Sequence, residues 1–144
     1  MAYATITDLT NIGMNANTQK GLTSTQISGA LQDASDYADT FFRARWGSAT
    51  VPLIAWDTAV TQAVAKIAAY RLIMIRGLNP ASTADQRFKT DYDDAVAWLD
   101  KVQRQQAHPL VTLALNASPQ IQPSLTTFSV VATATGCTAR NRGW

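Results

Sequence analysis

The stretch Ala63-Val64-Ala65-Lys66-Ile67-Ala68-Ala69-Tyr70-Arg71-Leu72-Ile73-Met74-Ile75 decides the fold of this 144-residue chain. Only Lys66 and Arg71 in it are charged. Wound at 3.6 residues per turn, the run offers water no polar side. A helix that is apolar all round is buried all round, so this one must be the centre of a bundle. Asp57 is a suitable N-cap and Gly77 a suitable stop, which predicts a helix over 57–76. A membrane span needs about 20 largely apolar residues, and the two cations interrupt this run.

Working toward the N-terminus, Val51-Pro52-Leu53 reads as an extended connector, because proline pushes its predecessor out of helical geometry. Before it, Thr23 or Ser24 caps a helix running to Trp46, with Gly47 as its stop. Ile27, Leu31, Ala34, Ala38 and Phe41 form its apolar stripe at steps of three and four. Asp33, Asp36 and Asp39 step by three across the opposite face and are expected to face solvent. Arg43 and Arg45 suit the negative end of the helix dipole. In the first 22 residues, Thr7 or Asp8 is expected to cap one short turn before Gly13.

Working toward the C-terminus, Ser82-x-x-Asp85 resembles a capping box and opens a helix expected over 82–107. Phe88, Tyr92, Ala95, Leu99 and Val102 form its seam. His108-Pro109 ends it, with His108 read as a cation at the helix C-terminus. After Pro109 the pattern changes. Leu110 to Leu115 and Leu125 to Thr135, rich in Val, Thr and Phe, read as strand. The expected fold is mainly α: a small bundle of three main helices with the second one central, plus an extended, partly β C-terminal arm. The chain divides into a helical body over 1–109 and an arm over 110–144. Because a helical body offers no sheet, the arm is expected to need a partner edge from outside the protomer.

Composition narrows the function. Hydrophobic residues make up 47% and charged residues 15%, against about 25% charged in an average domain. Such a chain is not disordered, and its uncharged surface suits contact with other subunits. Residues 1–100 carry eight Lys and Arg against ten Asp, net −2; residues 101–144 carry Lys101, Arg104, Arg140 and Arg142 with no acid. A duplex-DNA binder needs a basic stripe, and the body has none in its sequence balance. One Cys, Cys137, and one His, His108, leave no internal disulfide, no multi-Cys metal site and no His pair. The chain reads as a soluble protein of a reducing compartment, without a secretory signal. A nucleophile would need His108 as its base, and Cys137 reads as an incidental thiol. Asp33/Asp36/Asp39 and Asp91/Asp93/Asp94 could supply hard-cation ligands, but each group lies along one helix and reads better as a solvated face. No catalytic, cofactor or metal site is expected. Arg140 and Arg142 beside Trp144 are too few for a nucleic-acid footprint and suit a tail that packs on a partner protein.

The ordered series Tyr3-Ala4-Thr5…Asp8-Leu9, Leu31-Gln32-Asp33-Ala34-Ser35…Phe41…Arg45-Trp46, Pro52-Leu53, Ile67-Ala68-Ala69-Tyr70-Arg71-Leu72 and Tyr92-Asp93-Asp94-Ala95-Val96-Ala97-Trp98-Leu99 resembles a known family. It is similar to the small head-to-tail adaptors (connectors) of tailed bacteriophages, the Mu-type phage protein Gp36 domain. The resemblance covers about residues 2–103. It departs at Gln105-Gln106-Ala107-His108, where the family has Gly-Lys, and at Trp46, where Tyr is common. The resemblance implies a non-enzymatic virion protein of the neck, made in the bacterial cytoplasm, that assembles as a ring, expected as a dodecamer, under the portal protein. It implies further partners in the next neck or tail protein (a stopper or tail terminator) and DNA that passes without specific binding, with no membrane involved. Phe128, Val130, Arg140, Arg142 and Trp144 are then candidate contacts to the portal or a neighbouring copy, and Asp33, Asp36 and Asp39 candidate channel residues. The alternative is a small helical DNA-binding accessory or regulatory protein.

The central helix can be tested directly. An unpaired charge buried in it costs several kcal/mol. Ile67→Asp protein is expected to lose soluble helical folding by circular dichroism; a wild-type melting curve would contradict a central 57–76 helix.

Overall fold

A computed structural model describes residues 1–79 and 81–114. In chain order the elements are α1 (Ile6–Asp8) running into a π-helical turn (Leu9–Gly13), α2 (Ser24–Trp46), a 3-10 turn (Ser48–Thr50), β1 (Ala55–Trp56), α3 (Thr58–Arg76), α4 (Thr83–Gln103) and β2 (Val111–Thr112). The protein is mainly helical, as the periodicity requires.

Helix α3 is the core. Val60, Val64, Ala65, Ile67, Ala68 and Leu72 are fully shielded, and α2, α4 and the π-turn all pack against it. By length and composition alone α3 could cross a membrane, but three flanking elements cover most of its apolar surface. Burial falls short of the all-round burial expected, because Met74 and Ile75 stay exposed. The Asp57 carboxylate caps it through the Val60 amide at 3.1 Å. Thr23 caps α2 in a complete capping box with Gln26. Both helices stop at the glycines the sequence indicates, Gly47 and Gly77, with φ of +97° and +106°, a region that side chains with a Cβ resist.

Three boundaries differ from expectation. The first short helix is capped by Thr5, with Asp8 closing the box as its third residue; neither Thr7 nor Asp8 is the cap. Ser82 is the N-cap of α4 but makes no side-chain cap bond; the Asp85 amide donates to the Ser82 carbonyl at 3.1 Å, and the Asp85 carboxylate accepts from the Asn79 amide at 2.8 Å. Helix α4 ends at Gln103 rather than 107, where Gln105 takes a left-handed φ of +63°.

The body also contains a sheet, contrary to expectation. β1 and β2 pair antiparallel, Ala55 opposite Thr112 and Trp56 opposite Val111. Val111 and Leu113 are buried in the core, the Leu110 amide donates to Asp57 at 2.9 Å, and the Ala114 amide donates to Thr50 at 3.2 Å. The start of the expected arm therefore finds its partner edge inside its own protomer. The strand expected over 125–135 lies outside the described residues.

Gly13 lets the π-turn sit flat on α3. A Cβ there would lie 2.8 Å from the Ala65 carbonyl oxygen and 3.0 Å from the Ala69 Cβ. Gly29, in the second turn of α2, has open space around it. Gly13→Ala is expected to destabilise by about 1–3 kcal/mol through overpacking, and Gly29→Ala to stabilise by about 0.4–1 kcal/mol. Thermal melts of the two variants should move in opposite directions.

Candidate functional site

Three surfaces and one buried hub are built on this frame. The hub is Tyr3, which joins four segments. Its amide donates to Ser35 Oγ at 2.9 Å and its carbonyl accepts from Thr61 Oγ1 at 3.2 Å. Its hydroxyl donates to the Asp39 carboxylate and accepts from the Leu53 amide at 2.9 Å. Trp56 meets the Tyr3 ring edge-on at 4.8 Å. Burial pushes the Tyr3 hydroxyl far above the ordinary phenol range, helped by the hydrogen bond to Asp39. Burial also raises Asp39, against the lowering effect of the Tyr3 hydroxyl.

The three acids of α2 therefore do not share a face. Steps of three residues turn 300°, so Asp39 lies about 120° round from Asp33. Asp33 is open, its side chain 69% exposed and 3.8 Å from Arg71. Asp36 accepts from Gln32 at 2.8 Å. Asp39 is only 5% exposed, so its expected position toward channel or solvent is corrected: it is a core residue, held by Tyr3.

At the far end of the bundle Arg45 closes α4. Its guanidinium donates to the Val102 carbonyl at 2.9 Å and the Ala107 carbonyl at 2.6 Å. It reaches His108 Nδ1 at 2.8 Å and lies 4.6 Å over the Trp46 ring. Guanidinium can only donate, so Nδ1 accepts. The cation at this helix end is Arg45, and His108 is its acceptor rather than the cap.

An aromatic face spans the three long helices. Tyr70 stacks on Tyr92 at 4.6 Å, Tyr37 meets Phe41 at 5.3 Å, and Arg71 lies over Tyr37 at 5.7 Å. These rings are half-buried, while Met74 and Ile75 on α3 are 53% and 55% exposed. The second surface is a groove of about 180 Å³ between α3 and α4, floored by Ala59, Ala63 and Ala95, walled by Trp98 and rimmed by Lys66 and Asp94. The third is a wider, more polar recess of about 350 Å³ between the Thr10–Thr18 region and the start of α4, around Arg87.

The second acid cluster is spread over ion pairs. Asp91 lies 3.7 Å from Lys66 and 3.9 Å from Arg87, and Asp93 lies 2.7 Å from Lys89. Among the described residues no group of three His, Cys, Asp or Glu is placed to hold a metal ion. Phe128, Val130, Cys137, Arg140, Arg142 and Trp144 lie outside the described residues. Sequence reasoning missed the Tyr3 hub and the Arg45 clamp. The Thr5-x-x-Asp8 spacing, the same pattern as Ser82-x-x-Asp85, was the available signal for an ordered N-terminus.

Fold and surfaces define a small helical-bundle protein that presents a half-buried aromatic face and two recesses among the described residues. Residues 2–131 match the family described as Bacteriophage Mu, Gp36, and the chain belongs to that family of bacteriophage proteins. Comparison with curated proteins gives no match.

The Tyr3–Asp39 pair predicts a pH dependence. The raised Asp39 pKa means that the native state holds a proton the unfolded chain has released at pH above about 3.8. That contribution to stability is complete below 3.8 and is lost as pH rises through the folded value. Asp8, lowered by its hydrogen bonds to Thr5, acts the opposite way, and its contribution is lost only as pH falls below the ordinary range. Asp39→Asn is therefore expected to flatten the decline above pH 4 in urea titrations. Tyr3→Phe, which strands the Leu53 amide and the buried carboxylate, should cost about 2–5 kcal/mol at pH 7.

Proposed function

We propose that this chain is a structural head-to-tail adaptor of a bacteriophage virion. Its copies form a ring, expected as a dodecamer, beneath the portal protein in the neck. The ring extends the DNA channel and receives the next neck or tail protein, a stopper or tail terminator. The observation that carries this reading is the Bacteriophage Mu Gp36 family match over residues 2–131. The surfaces support it. Tyr, Arg and Met dominate the face around Tyr37, Tyr70, Arg71 and Met74, the residue types enriched where protein subunits meet. Residues 1–114 carry ten Lys and Arg against ten Asp, a balance that lets DNA pass without being gripped. Asp33 and Asp36 are the acids of α2 left to line a channel. The arm bearing Phe128, Val130, Arg140, Arg142 and Trp144 reaches the portal or a neighbouring copy. The role is mechanical, with no catalytic step and no cofactor.

Electron microscopy of phage particles lacking this chain tests the reading. Filled heads without joined tails are expected, and restored particles should show a ring of this chain under the portal. Normal joining in its absence would overturn the adaptor role. Tight, steeply salt-dependent duplex binding by the free protomer would favour a DNA-binding accessory instead.

A further inference from the structure

We propose that the chain around Tyr3, the connector 50–56 and residues 110–114 open and close as one unit, separately from the long helices, so that the N-terminal segment and the base of the C-terminal segment are coupled. The connector lies between the other two and serves both. On one side the Leu53 amide donates to the Tyr3 hydroxyl at 2.9 Å, and the Trp56 ring meets the Tyr3 ring at 4.8 Å. On the other side the Ile54 amide donates to the Thr112 carbonyl at 2.9 Å and the Thr50 carbonyl accepts from the Ala114 amide at 3.2 Å. Trp56 also pairs with Val111 there, so it belongs to both contacts.

None of the three pieces holds its place alone. A two-stranded pair is marginal in water, and each of these strands is two residues long. Tyr3 precedes a helix of three residues, far too short to stand by itself. Yet Tyr3, Leu53, Val111 and Leu113 are all buried in one core. Lifting the connector strips Tyr3 of its Leu53 and Trp56 contacts and strips residues 111–114 of their strand partner in the same movement. A half-open state would leave buried polar groups unpaired, and that penalty makes the opening cooperative.

The helices do not have to follow. Opening forfeits the bonds of Tyr3 to Ser35, Asp39 and Thr61, but the packing of α3 against α2 and α4 does not pass through Tyr3. When the Leu110 amide leaves, Asp57 still caps α3, because its two bonds use different carboxylate oxygens. Openings of this kind, short of global unfolding, are ordinary in small domains. By linkage, whatever seats or displaces one segment changes the seating of the other by the same factor. The coupling is a property of the free protomer. Only its consequence rests on the adaptor proposal, namely that a partner engaging one of the two segments alters how the other is presented.

Native-state hydrogen exchange of the full-length protein tests this through the amides of Tyr3, Leu53, Ile54 and Ala114. They should share one opening equilibrium with one denaturant dependence, and exchange about tenfold or more faster than the amides of residues 64–69 in α3. Val111→Ala, which trims the C-terminal side, should speed the Tyr3 amide as much as the Ile54 amide, about tenfold. Ser35→Ala, which removes the acceptor of the Tyr3 amide, should speed Ile54 and Ala114 as much as Leu53, again about tenfold. Circular dichroism checks that both variants keep their helices, and the wild-type comparison decides the matter if either does not. Two results would overturn the unit: exchange of its amides no faster than that of α3, or Val111→Ala speeding Ile54 and Ala114 while leaving Tyr3 unchanged. The isolated protomer suffices, so a failed adaptor role leaves the result unaffected.

Discussion

Helix α3 carries the largest share of the buried core, leaving Met74 and Ile75 exposed near its end, and the rest of the fold follows from covering it. Two amphipathic helices cover two sides. The third falls to the N-terminal π-turn, which comes close enough only because Gly13 has no Cβ to strike the Ala65 carbonyl. A chain with 15% charged residues has few polar groups to spare, and they are spent at the seams. Tyr3, Arg45 and Asp57 each satisfy backbone or carboxylate groups that two or more elements would otherwise leave unpaired. Among the described residues no buried side-chain nitrogen or oxygen lacks a partner, which is what a stable low-charge core requires.

The long helices were legible because their signals are local and redundant. Periodicity, an N-cap and a terminal glycine all agree for 23–46 and for 57–76, and the observed ends fall on Thr23, Gly47, Asp57 and Gly77. The end of α4 was not legible. Its carbonyls are taken by Arg45, 57 residues earlier in the chain, and no window of sequence around 103–108 contains that information. The two-residue β1–β2 pairing was hidden for the same reason: Ala55 and Trp56 show no alternation, and their partner lies beyond an entire helical hairpin.

Among the candidate site residues the acids of α2 show how a local pattern misleads. Three Asp at steps of three look like one polar face, yet each step rotates by 60° and the third enters the core. The Tyr3 hydroxyl, with the charge of Arg43, makes that position tolerable, and the Tyr3 pairing spans 36 residues. Read in isolation, Asp39 belongs to water. Read with Tyr3, it is the point where the N-terminus, α2 and the Pro52 connector are pinned together.

The same economy governs the base of the C-terminal segment. One oxygen of Asp57 accepts from the Val60 amide and starts α3; the other accepts from the Leu110 amide and holds the chain just before β2. Arg45 holds the preceding turn through Ala107 and His108, and Thr50 holds Ala114. A pull on the chain beyond Ala114 is therefore delivered to the N-cap of the central helix and to the end of α2. Neither is a free loop. Every residue from Ala107 to Ala114 is tied back by backbone, carboxylate or core packing. That mechanical continuity suits a protein whose proposed work is to hold two larger assemblies together.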